Sequence, residues 1–427
     1  VIGGEKASGI LLVVLVALVL DLVTFFSPFT QRAHATDDTL PTISDPNLKV
    51  ELVTKGLPYN PTSMAFLNDS NILVLSKQSG QVHLVTKGIL QEQPVLEVLV
   101  NRFGERGLLG IVISDHHNGI ADVFLYHTEA DPLRNRVYKY EWNKETLINP
   151  SLILDLPAEP ATVHNGGKII IGPDGYLYTV IGDLITYIHG SFSTSKPGEL
   201  QNSREGSPPD DTGVIVRVNP EDGSAAPGNP FARSGDVSLS KYYAYGIRNS
   251  FGMDFDPLIG NLWDTENGEA IYDEINLVKP GFNSGWSDII GPSTFPFSED
   301  ELVKFPGSHY ADPVLSWLDT VGLTDIEFYT SSELGDRYRN NIFVGDINNS
   351  NLYFFEVNET RNGLELGAPN QESGLSDLVV DTEDDLSSVT FGTGFGSITD
   401  IETGPDGFLY ILSLSDGAIY KISPVQC

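Results

Sequence analysis

Four short stretches carry side chains able to do chemistry. His164 opens one, His164-Asn165-Gly166-Gly167, where Asn-Gly-Gly lets the backbone fold tightly enough to hold a side chain against a ligand. Glu105 lies in GERGLLG (Gly104–Gly110), and Arg248 and Asn249 lie in YGIRNSFG (Tyr245–Gly252). The fourth, TENGE (Thr265–Glu269), runs on to DEINLV (Asp273–Val278) and GFNSGW (Gly281–Trp286). Imidazole exchanges protons near neutral pH, so His164 suits a general base. Each stretch alone has a plain structural explanation: an ordinary polar loop for His164, a surface ion pair for Arg248, a turn residue for Asn249. Their recurrence beside strand turns is what argues for a site.

Those turns belong to hairpins. In VHNGGKIIIGPDGYLYTVIGD (Val163–Asp183), the apolar runs Ile169–Ile171 and Tyr176–Ile181 flank Gly172-Pro173-Asp174-Gly175. Proline presets φ and Asp-Gly supplies the positive-φ corner, which together predict a β-hairpin. The same unit recurs near Asp69, Asn118, Ile259, Asp336 and Asp406, and GPDGYLY at Gly172–Tyr178 returns as GPDGFLY at Gly404–Tyr410. Sheet units spaced by about 50 to 85 residues predict an all-β chain, a six-bladed β-propeller, whose radial closure leaves only short protected edges. Asn47–Val53 is expected to pair with Ala418–Ile422 and close the ring. Ser191–Thr212 and Gly291–Ser316 are longer insertions, either cleft walls or surface loops.

The N-terminus differs. The apolar run ILLVVLVALVL (Ile10–Leu20) is short for a membrane span and suits the apolar region of a signal peptide, with Lys6 before it and an A-x-A site at Ala33-His34-Ala35. Three readings stand: a secretion signal ending near Ala35, a retained anchor, or a filament-packing helix, since Lys6–Ile10 resembles the leader junction of archaeal pilins. All three place the remainder outside the cytoplasm, and the last two give residues 10–26 a membrane contact or a role in homo-assembly. The expected organisation is a hydrophobic helical segment at 1–35, a linker at 36–46 and the propeller at 47–427.

A net charge of −33, from 58 acidic and 25 basic residues, argues against nucleic-acid binding, because little basic surface is left to displace counterions. The one cysteine, Cys427, permits no intrachain disulfide.

The motifs GLLG, HNGGK-x-x-x-GPDG-x-LY, YG-x-RN-x-x-G and DEINL-x-x-x-G-x-N-x-GW, in this order between Leu57 and Ile422, resemble those of the glucose/sorbosone dehydrogenase family. The resemblance implies a six-bladed quinoprotein that oxidises aldose sugars with pyrroloquinoline quinone (PQQ) and calcium. It implies that His164 takes the sugar proton, that Arg248 stabilises the reduced cofactor, and that Glu105, Arg248, Asn249 and Thr320 contact the cofactor. Gly268 and Glu269 fall at its calcium site. Several residues depart from the family pattern. Val163 stands where aspartate is common, so His164 is expected to lack its orienting partner. Glu105 and Phe251 replace glutamines, and Glu269 a proline. Asn348 and Gly396–Asp400 occupy positions where cations grip the PQQ carboxylates. Weak PQQ binding, another ligand or no cofactor therefore stay open. The alternatives to an enzyme are a non-catalytic carbohydrate-binding propeller and a displayed surface-assembly protein.

Overall fold

The computed structural model describes residues 40–58, 60–115, 121–188, 191–192, 195–293, 299–366 and 374–425. The N-terminal helix expected within residues 1–35 lies outside the described residues, as does most of the linker. Among the described residues no helix is long and apolar enough to cross a membrane.

The hairpins expected from the turn residues form as the inner pair of successive antiparallel sheets. We number the inner strands β1 (Pro61–Asn68), β2 (Leu108–Asp115), β3 (Ile169–Ile171), β4 (Ser250–Phe255), β5 (Leu323–Tyr329) and β6 (Ile398–Thr403). Each pairs with the strand that follows it. The two GPDG turns have the same geometry. Gly175 N–H donates to Gly172 O at 2.8 Å with φ +79°, and Gly407 N–H to Gly404 O at 2.8 Å with φ +81°. In both, the aspartate accepts from the tyrosine four residues on, Tyr178 to Asp174 and Tyr410 to Asp406.

The second strands are buried on both faces. Every residue of Leu177–Ile181 and of Leu409–Ser413 is buried. Such runs arise where sheets are covered on both sides. Six apolar clusters each join two neighbouring sheets, as where Phe124 and Tyr126 of the second sheet meet Leu177 and Val216 of the third. The inner strands touch in the cyclic order β1-β2-β3-β4-β5-β6-β1. The architecture is an all-β propeller. The ring closes by pairing Leu48–Lys55 with Ala418–Pro424, where Val50 faces Ile422.

Carboxylates tie neighbouring inner strands around the axis. Asp254 accepts from Phe328 N–H, Asp325 from Ile401 N–H, Glu327 from Thr403 N–H and Asp400 from Met64 N–H, at 2.7–3.0 Å. Lys168, just before β3, puts its ammonium 2.6 Å from Asp325 and 3.2 Å from Asp400. Burial opposes the Lys168 charge, but Asp325 and Asp400 outweigh it and hold its pKa well above the lysine range.

Candidate active site

His164 adopts φ +60°, an uncommon conformation for a side-chain-bearing residue, and Gly166 and Gly167 follow at +63° and +122°. Glu105 fixes this turn by accepting the His164 N–H at 2.6 Å. The buried ring points at the third sheet, where Nδ1 lies 2.6 Å from Asp183 Oδ1.

Val163 does not leave the histidine unoriented: Asp183 supplies the carboxylate expected to be missing. Extending the register of the GPDG hairpin, in which Ile169 faces Thr179, carries Asp183 back to the His164 loop. Gly182 makes the approach possible, since a Cβ there would lie 2.6 Å from both His164 O and Arg248 O. Asp183 also accepts from Ile185 N–H at 3.0 Å and Trp286 Nε1–H at 2.6 Å. A carboxylate bound this way only accepts, so Nδ1 carries the proton and, in the neutral ring, Nε2 keeps its lone pair.

Arg248 is joined to the same unit, its carbonyl accepting the Asp183 N–H at 3.0 Å. Its Nη1 donates to Asn267 O and Gly268 O, both at 2.8 Å, and its guanidinium lies 5.4 Å from the centre of the Trp286 ring. Two carbonyls thus converge on the Arg248 guanidinium, at the loop expected from the resemblance to hold calcium. Glu266 accepts the Arg248 backbone N–H and the Ser284 hydroxyl, both at 2.6 Å, and burial pushes its pKa up to about 7. Asn249 is buried, its carbonyl accepting the Asn267 N–H. Its side-chain oxygen and Arg248 Nε have no partner among the described residues. Asp273 accepts N–H bonds from Gly268 on one side and Val321 and Gly322 on the other, so it joins the Gly268 loop to the turn after Thr320. Glu269 is only half-buried. Among the described residues no three acids, histidines or cysteines cluster to hold a metal.

An axial cavity of about 170 Å³ adjoins the His164 loop. Each sheet contributes to it, through Thr62, Gly110, Lys168, Phe251, Thr324 and Asp400. The positions expected to carry late cations do not carry them. Asn348 N–H donates to Val321 O, Ser397 Oγ to Ile347 O, and Asp400 is held by Lys168.

The two long insertions meet beside this unit. Arg204 donates to the carbonyls of Glu301 and Asp300, and Asn202 to Asn283 Oδ1 and Trp286 O. They form the wall of an open cleft of about 670 Å³ lined partly by Lys196, Asn202 and Asp288. Sequence reasoning missed Asp183, Trp286, Glu266 and Asp273 as positioning groups. All four lie inside the quoted motifs, and the hairpin register was the available signal for Asp183.

The propeller thus gathers a carboxylate-bound histidine, an adjacent arginine and two converging backbone carbonyls into one unit. Residues 59–421 match the Glucose / Sorbosone dehydrogenase family, and the chain belongs to it. The aldose sugar dehydrogenase YliI of Escherichia coli K12 is 25% identical over 388 residues, covering 88% of this chain and 93% of its own. Quinoprotein glucose dehydrogenase B of Acinetobacter calcoaceticus is 29% identical over 257 residues, covering 55% of this chain and 50% of its own. The PQQ-bound aldose sugar dehydrogenase of Streptomyces coelicolor shares the fold, with a TM-score of 0.62 at 24% identity over 90% of this chain and 99% of that one.

Proposed function

We propose that the protein oxidises the C1 hydroxyl of an aldose sugar with PQQ and calcium, on a six-bladed propeller held outside the cytoplasm. The observation that carries this reading is the His164–Asp183 contact, with the carboxylate fixed by Trp286 and Ile185. Asp183 holds the Nδ1–H tautomer, so Nε2 would accept the sugar hydroxyl proton. Asp183 then stabilises the imidazolium that forms. PQQ, when bound, supplies the two-electron acceptor.

The residues present fit these groups. The Asn267 and Gly268 carbonyls, which accept from Arg248 Nη1 here, would offer oxygens to calcium once that guanidinium turned away from them. Arg248 Nε, buried without a described partner, and Lys77 on the cavity wall would meet cofactor oxygens. The six sheets of four or more strands, whose inner strands touch in a ring, support the blade count. The location rests on the apolar run Ile10–Leu20 and the Ala33-His34-Ala35 site.

The test is calcium-loaded protein titrated with PQQ, followed by sugar-dependent dye reduction. Saturable PQQ binding in both wild type and His164→Ala, with dye reduction lost in the variant, is the expected result. Absence of binding at high micromolar PQQ would overturn the reading. That outcome would favour a non-catalytic carbohydrate-binding propeller, which the uncharged Asn348 and Ser397 support.

A further inference from the structure

The cations lining the axial cavity are not equivalent. Lys168 is committed, held between Asp325 and Asp400. Lys77, directly after the strand Asn71–Ser76, is not. Its ammonium donates to a neutral acceptor, Gly104 O, at 2.6 Å, and among the described residues no carboxylate lies within ion-pair distance. Its stem is fixed against the GERGLLG loop: a Cβ on Gly107 would sit 2.6 Å from Lys77 Cγ. The backbone is fixed too, since Lys77 N–H donates to Asn60 O and Leu108 N–H to Lys77 O. The cavity's acids are already engaged, Glu105 by the His164 N–H and Asp400 by Lys168 and Met64 N–H. A half-buried ammonium whose only nearby anionic charge among the described residues is Glu105, which is beyond ion-pair distance and already accepts the His164 N–H, is poorly compensated and would gain from an anion in the cavity.

We propose that Lys77 anchors a carboxylate of an aromatic polycarboxylate ligand in the axial cavity, taking over from the cations absent at Asn348 and Gly396–Asp400. This rests on the quinoprotein reading above and assigns it a grip from the first sheet rather than the last two.

The experiment uses the full chain as wild type, Lys77→Met and Lys77→Arg. Each is titrated calorimetrically with PQQ in calcium and with benzene-1,3,5-tricarboxylate in metal-free buffer, at several salt concentrations. Lys77→Met is expected to weaken both ligands roughly ten- to hundredfold, the range for a charged hydrogen bond. It should also flatten the salt dependence, and Lys77→Arg should restore both. A purely structural role would move neither the salt slope nor the arginine rescue. Wild-type affinity in Lys77→Met overturns the anchor and leaves the PQQ reading intact. Lys77-dependent binding of the tricarboxylate without PQQ binding keeps the anchor and ends that reading. A wild type that binds neither overturns both. Should Lys77→Met not fold, amine acylation of wild-type Lys77, read by peptide mass spectrometry, replaces it. Ligand should slow acylation at least about tenfold if the charged bond forms, and an unprotected Lys77 overturns the anchor.

Discussion

At the residue scale the site depends on one carboxylate doing three things. Asp183 receives Ile185 N–H, Trp286 Nε1–H and His164 Nδ1, so it fixes both ring orientation and tautomer. Asp183→Asn keeps the size but offers an amide that can donate to Nδ1 and stabilise the wrong tautomer. The expected outcome is a roughly hundred- to ten-thousandfold fall in kcat, the range of general-base catalysis, with the PQQ dissociation constant nearly unchanged. Steady-state kinetics beside a PQQ titration checks this, and an equal loss in both would make Asp183 a merely structural residue. Glu266 gives a second residue-scale prediction. Its pKa rises to about 7, first from burial and then from the nearby Asp183 charge, against the Arg248 and Ser284 bonds. The carboxylates Asp264 and Glu274 stand beside it, both pushed well up by burial. An acid with a raised folded pKa binds more protons folded than unfolded, so stability falls as pH rises from about 4.5 to about 7. Glu266→Gln should remove up to ~3 kcal/mol of that decline. Denaturant unfolding at pH 4.5 and pH 8 measures it, and an unchanged slope would refute it.

At the element scale the hairpin before the third sheet's outer strands makes two glycines unequal. Gly175 sits at φ +79° with nothing near its absent Cβ, whereas a Cβ on Gly166 would collide with Val180 O. Gly175→Ala should therefore cost only the left-handed strain, about 1 kcal/mol, and leave activity intact. Gly166→Ala must move the His164 loop and should abolish activity while costing about 2 kcal/mol or more. Thermal melts and turnover of the pair test this, and matched behaviour would disprove it. These elements were largely legible. Proline and Asp-Gly at a turn between apolar runs specify a hairpin locally, and the closing pair at Leu48–Lys55 and Ala418–Pro424 follows from the need to cover an edge. Asp183 was not assigned because its role comes from register, which a motif comparison centred on Val163 ignores. Asp273 and Glu266 were hidden because their partners are backbone N–H groups far along the chain, such as Val321 and Gly322 for Asp273.

At the scale of the whole molecule, the excess of acid has a structural part as well as a solvated one. Asp254, Asp325, Glu327 and Asp400 lie on β4, β5 and β6 and accept the N–H groups of the next inner strand around the axis. Composition shows only −33, because which carboxylates turn inward depends on the pleat of strands such as TDIEFY and TDIET. Burial pushes Asp325, Glu327 and Glu402 well above the carboxylate range, and Lys168 opposes this for all three. Lys168 is thus the hub between the third, fifth and sixth sheets, and through Asp400 the first. Lys168→Met keeps the stem and removes the charge, leaving Asp325 and Asp400 buried without their cation. Breaking a buried pair in this way costs about 3–5 kcal/mol. The loss should be largest near pH 8, where Asp325 would have to ionise unpaired, and smaller near pH 5, where it can take up a proton. Denaturant unfolding of wild type and variant at both values distinguishes this from a packing defect: a loss independent of pH would mean that Lys168 serves the ring by filling space, not by charge.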